Sequence, residues 1–340
     1  MKGNSVISIS TGTFLKAVLI IFVLAFLWYV RNVVVIFFVS MLLAALIDPF
    51  AEWFARRHIP RALAVMIVYI VLLAFLALIA VGIVPIISEQ FVQLTANTST
   101  FSKEFESAFV QIQAFSAQHG FSQNVATSLQ SLQEGFSQTI GSVFTTVKGI
   151  FGGLATIVVI LVLTFYMVAE GEKMQKYFKS LAPVAYQPYL SEITKKIQLK
   201  IGAWLRGQLL LGFIIGLVSY ITLSFLGVRY ALLLAIIAGF CEMIPYVGPI
   251  FSAIPAAIIA FAQAPALALL VIISYLVIQQ VENHLLVPKI MQKVTGLNPI
   301  VCIIALLIGV QVGGLIGVFF AIPLATIAMV IIDDTFKAYQ

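Results

Sequence analysis

Residues 240–250 read FCEMIPYVGPI and interrupt one of the most apolar stretches of the chain. Glu242, Pro245, Gly248 and Pro249 fall together there, with Tyr246 between the prolines. Each of the four is a poor choice for a continuous helix in oil. A carboxylate at the centre of a membrane helix costs roughly 2.5–3.5 kcal/mol on insertion scales. Pro245 removes a helix donor and biases Ile244 away from helical torsions. Gly248 permits a turn, and Pro249 suits the first turn of a following helix, where its missing N–H costs nothing. The apolar run 230–263 would be about 50 Å long as one helix, whereas a hydrocarbon core is about 30 Å thick. A break at 245–249 divides it into two shorter pieces. The segment therefore reads as a broken helix or a re-entrant hairpin.

That reading presupposes a bilayer, and the composition requires one. Of 340 residues, 62% are hydrophobic and 9% charged, with mean hydropathy +1.11. A soluble domain is about 45–50% apolar and about 25% charged. The two cysteines, Cys241 and Cys302, sit in apolar runs and read as small buried hydrophobes. The formal net charge of +6 fits basic cytoplasmic loops better than nucleic-acid binding. The N-terminal apolar run ends in Trp28-Tyr29 rather than a small-residue cleavage site, so a retained anchor is expected in place of a secretory signal.

Spans of about 20 apolar residues are expected at 13–30, 33–49, 62–87, 150–169, 207–227, 230–263, 265–281 and 298–332. The first two, separated only by Arg31-Asn32, are expected to form a tight hairpin, with one long tilted helix as the alternative. Ten of the 19 Lys and Arg residues follow the second and fourth spans, from Arg56 to Arg61 and from Lys173 to Arg206. Those segments should be cytoplasmic. Residues 88–149 should lie outside, and both termini inside. The outer segment carries apolar residues at helical spacing, Phe101 to Phe115 and Val125 to Val147, which predicts two amphipathic helices suited to self-association. A second stripe, Leu190, Ile193, Ile197, Ile201 and Trp204, predicts a helix lying on the inner leaflet. Four regions result: 1–87 with three spans, 88–149 outside, 150–206 with the fourth span and the interfacial helix, and 207–340 with interrupted helices.

The run 298–332 repeats the opening design. It is too long for one span and is interrupted at GVQVGG, residues 309–314. Two hairpins also keep Lys289 and Lys293 on the cytoplasmic side, whereas the alternative, a single full crossing at 230–263, would put them outside. Paired interrupted segments of opposite sense point to a transport site, because irregular backbone at membrane depth is tolerated only inside protein or along a wet cavity. The fold class is thus all-α and polytopic, with two broken or re-entrant hairpins and amphipathic helices outside the spans. Candidate pathway residues are Glu242, Pro245, Tyr246, Gly248, Pro249 and Gln311, together with Gln279, Glu282 and Asn283. These last three are taken to share a helix face with Tyr275. His284 has no partner at ligand spacing, so no metal is expected. No cofactor is expected either. Pairs such as Gly212/Gly216 and Gly309/Gly313 suit close helix approach. HExxH, P-loop and GxGxxG signatures are absent from the sequence, which points away from an enzyme.

EMIPYVGP at 242–249, QQVENHLLVPKIMQKVTGLNPI at 279–300 and GVQVGGLIGVFFAIPLAT at 309–326 resemble the autoinducer-2 exporter family of bacterial permeases. The resemblance covers essentially the whole chain. It implies a multi-pass inner-membrane protein exporting a small polar quorum-sensing signal, with some members associated with sodium or lithium/proton antiport. Glu242, Pro245, Gly248, Pro249, Glu282, Asn283, Pro288 and Pro323 match its pattern. Three functions are carried forward: a secondary transporter of a small polar metabolite, a cation/proton antiporter, and an oligomeric scaffold or pore. The expected partners are membrane lipids, a small polar substrate or cation, and further copies of the chain.

Overall fold

The computed structural model describes residues 11–96, 154–180, 182–245, 247–291 and 297–337, and among these the chain is helical with short connections. The elements are α1 (Thr11–Tyr29), α2 (Arg31–Ala55), α3 (Arg61–Ala96), α4 (Leu154–Ala169) and α5 (Gly171–Ser180). After a 3-10 turn follow α6 (Gln187–Phe225), α7 (Ala231–Cys241), α8 (Gly248–Gln263) and α9 (Pro265–Val281). A π turn, Glu282–Leu286, leads into α10 (Val287–Met291), and α11 (Pro299–Lys337) closes the series. Five helices among the described residues are long and apolar enough to cross a membrane: Arg31–Ala55, Arg61–Gln90, Val184–Phe225, Pro265–Met291 and Ile316–Phe336. Large apolar side chains stand exposed on them, including Ile70, Phe75, Leu78 and Val81 on α3. A lipid solvent accounts for that surface.

The first expected hairpin is not present. Only Val30 departs from helical torsions between α1 and α2, at φ −92° and ψ 16°. Hydrogen bonds from Val30 N to Phe26 O and from Val34 N to Val30 O carry the ladder across it. The chain bends there and continues. Arg31-Asn32 includes neither Pro nor Gly, so nothing forces the helix to stop.

The interfacial helix and the fifth span also turn out to be one rod. α6 has 39 residues, about 58 Å at helical rise, and runs through residue 206 without a break. Its stripe of Ile193, Ile201 and Trp204 is buried in protein rather than laid on lipid. Ile201, Trp204 and Leu205 pack with Leu42 and Ala45 of α2 and with Cys302, Leu306 and Val318 of α11. The outer segment expected from residue 88 begins inside α3, which extends to Ala96; the two amphipathic helices expected at Phe101 to Phe115 and Val125 to Val147 lie outside the described residues.

Both interrupted runs reverse direction. The end of α6 (Leu223), the start of α7 (Leu234), the end of α8 (Ile259) and the start of α9 (Ala268) share one apolar cluster, so α7 enters and α8 returns to the same end. α7 has only 11 residues, about 16 Å, and cannot cross a core of about 30 Å. In α11 the turn falls at Gly314, with φ 56° and ψ −136°. Gly309 and Gly317 then lie directly against each other, which eight residues of continuous helix would hold about 12 Å apart. The far end of α11 meets the near end of α6 through a 2.6 Å ion pair between Asp334 and Lys196. The two hairpins thus open toward opposite ends of α6.

Candidate functional site: a carboxyl pair at the tip of a reversed hairpin

The tip of the first hairpin is built from turns that keep most of its backbone paired. Ile244 N donates to Cys241 O at 2.9 Å, and Gly248 N donates to Ile244 O at 2.9 Å. Gly248 sits against the Cys241 carbonyl so closely that a Cβ has no room. Pro249 occupies the first turn of α8, as its missing donor favours. Tyr246 lies outside the described residues. Met243, Ile244 and Val247 pack on the cluster formed by α2, α6 and both arms of the second hairpin. The tip is therefore enclosed by protein, as irregular backbone at membrane depth requires.

Two contacts dock α7 on α6. Gly212 and Gly239 face each other, with room for no Cβ on either: one added at Gly212 would lie 2.7 Å from the Gly239 carbonyl oxygen. One turn earlier on α6, the Gln208 side chain, 1% exposed, donates its Nε2 hydrogen to the backbone carbonyl of Glu242. That carbonyl is one of the orphans at the C-terminus of α7, and the amide satisfies it. The Glu242 side chain is consequently directed into the interior, where it is 1% exposed.

Glu282 meets it there. It begins the π turn at the end of α9 and is 5% exposed. The two carboxyls lie within hydrogen-bonding reach of each other, and Oε2 of each is buried without a partner. A hydrogen bond between two carboxyls requires a proton on one of them. The arrangement is thus suited to sharing a proton between the two carboxyls. Tyr275, two turns before Glu282, is buried beside Ser219 of α6.

The remaining candidates separate. Gln279 is half-buried, whereas Asn283 points outward, a helical step away from Glu282. His284 is exposed, with Nδ1 2.9 Å from Gln280 O. Gln311 is exposed near the tip of the second hairpin. Among the described residues no three His, Cys, Asp or Glu side chains come together as metal ligands. Gln208 and Ser219 were passed over in the sequence. Their signal was a stripe, Gln208, Gly212, Gly216 and Ser219, at steps of four, four and three along one face of α6.

Comparison with known proteins supplies the family. Residues 17–337 match the model of the AI-2E family transporter. Two proteins of Bacillus subtilis are similar over nearly their whole length. One, named "Putative transport protein YrrI", is 25% identical over 323 residues, covering 93% of this chain and 92% of that protein. The other, "Putative transport protein YueF", is 28% identical over 328 residues, covering 91% and 88%. "AI-2 transport protein TqsA" of Escherichia coli is 22% identical over 325 residues, covering 93% and 90%. A multi-pass helical chain with two opposed hairpins, matched from residue 17 to residue 337, belongs to the AI-2E family of membrane transporters.

Proposed function

We propose that this permease moves a small polar metabolite, of the quorum-signal class, along the line where the two reversed hairpins meet. The observation that carries this reading is the tip at 242–245 and 247–248, where a buried carboxyl pair and interrupted backbone pack against α2, α6 and α11. The unpartnered carboxyl oxygens of Glu242 and Glu282 suit a hydroxyl-rich solute. The similarity to TqsA, an AI-2 transport protein by name, supports a signal-type solute. The basic segments around Arg56 and Lys195 would face the cytoplasm of a bacterial inner membrane, and copies of the chain would associate in it. A second reading, exchange of sodium or lithium for a proton, is favoured by one observation, the facing carboxyls of Glu242 and Glu282.

Flux through the purified chain in liposomes tests both. A labelled small polyol or furanose should move in the wild type, and movement should fall to the protein-free level in Pro249→Ala if the tip is the pathway. A monodisperse wild type that moves no solute and no cation would remove both readings.

A further inference from the structure

Four buried side-chain atoms among the described residues have no hydrogen-bond partner near this tip: Ser219 Oγ, Tyr275 Oη, Glu242 Oε2 and Glu282 Oε2. Their residues are all more than nine-tenths buried. They form a file rather than a scatter. The Tyr275 hydroxyl lies beside that of Ser219. Cys241 lies within electrostatic range of both Tyr275 and Glu242. Glu242 then faces Glu282. Ser219 lies about 16 Å beyond Gln208 along α6, and Tyr275 about 10 Å before Glu282 along α9. The file therefore extends from the carboxyl pair toward the end where α6 passes into α7.

Each orphaned buried polar atom costs about 1–3 kcal/mol unless water or an ion satisfies it. Four in a row inside an apolar bundle need one common explanation. Among the described residues no base stands against the pair. Arg206 of α6 is turned to the Ala45 carbonyl, 3.1 Å away. α7 and α8 have no charged side chain, and the pair's titratable neighbours are Cys241 and, through it, Tyr275. Lys289 of α10 and His284 of the π turn are exposed. Two bare carboxylates side by side in such surroundings would be two unpaired buried charges.

We propose that Glu242 and Glu282 hold one exchangeable proton between them, and that Cys241, Tyr275 and Ser219, with intervening water, form its route toward the α6–α7 end. The site deepens the permease reading and rests on it for its purpose, although not for its existence.

Proton occupancy is measurable without transport. A hydrophobic carbodiimide reacts with protonated carboxyls in apolar surroundings, and peptide mass spectrometry locates the adduct. In the full chain, purified in mild detergent at mildly acidic pH, Glu242 or Glu282 should be modified. In Glu242→Gln the new amide donates to Glu282, which no longer needs the proton, so modification should be lost; Glu282→Gln should likewise protect Glu242. Infrared difference spectra of the unmodified wild type should show a protonated carboxyl band that both variants lack. Tyr275→Phe and Ser219→Ala should keep that band but slow its hydrogen–deuterium exchange. Absence of the band and the adduct in the wild type overturns the proposal, as does modification that survives in both glutamine variants. Unchanged exchange in both Tyr275→Phe and Ser219→Ala overturns the route. If the band and adduct behave as expected while wild-type liposomes move no solute, the proton site stands and the permease reading fails.

Discussion

At the scale of single residues, the Gln208 amide decides where Glu242 points. It satisfies the carbonyl that ends α7 and so holds the turn from which the carboxyl enters the interior. Gln208→Leu keeps the bulk and removes the donor, leaving a buried carbonyl unsatisfied at a cost of about 1–3 kcal/mol. Thermal unfolding in detergent should show a lowered Tm, and an unchanged one would mean that the carbonyl finds another donor. Gly212 acts on the same junction by absence. Gly212→Val pushes a branched side chain against the Gly239 carbonyl, and overpacking of this kind costs about 1–3 kcal/mol. A variant that unfolds with wild-type Tm would show that α6 and α7 separate freely.

At the scale of elements, the two hairpins turn by different means. The first uses Pro245 and Pro249 to withhold helix donors on either side of a short turn. The second turns at Gly314, whose φ of 56° and ψ of −136° suit glycine alone. Gly314→Ala should therefore lower stability by about 1–3 kcal/mol through backbone strain. Its neighbour provides the contrast. Gly313 has ordinary torsions, and a Cβ there meets nothing within 4 Å, so Gly313→Ala should be neutral or slightly stabilising. Equal losses of Tm in the two variants would place the turn elsewhere.

At the scale of the whole molecule, the topology makes a prediction about faces. If α7 and α8 form a re-entrant pair, Arg229 before it and Ala264 after it emerge on one side of the membrane. Asn298 and Thr335, at the two ends of the second hairpin, emerge on the other, together with Lys173. Single cysteines at these five positions, in a background lacking Cys241 and Cys302, should sort into those two groups with a membrane-impermeant maleimide. Labelling of Arg229→Cys and Ala264→Cys from opposite sides would make 231–263 a full crossing. The Lys196–Asp334 pair, which joins the start of α6 to the end of α11, is partly exposed, and pairs of that kind contribute about 0–1 kcal/mol. It marks the arrangement more than it holds it.

Membrane residence, helical class and the two breaks were legible in the sequence because each depends on local quantities. They are the apolar length against bilayer thickness, the missing proline donors, and glycine at a turn. Glu242 and Glu282 stood out for the same reason, as charges in oil. Their meeting did not, since positions forty residues apart are joined only by the packing of α7 and α9 around α6. The inward facing of Tyr275 and Glu282 and the outward facing of Asn283 were likewise settled by the rotation of α9 and its π turn. The expected hairpin at 30–32 failed because charge in a short polar link says nothing about whether the hydrogen-bond ladder stops. The amphipathic stripe of α6 was read as lipid-facing because an apolar face has the same pattern whether lipid or protein covers it. Only the arrival of α2 and α11 on that face decides which one does.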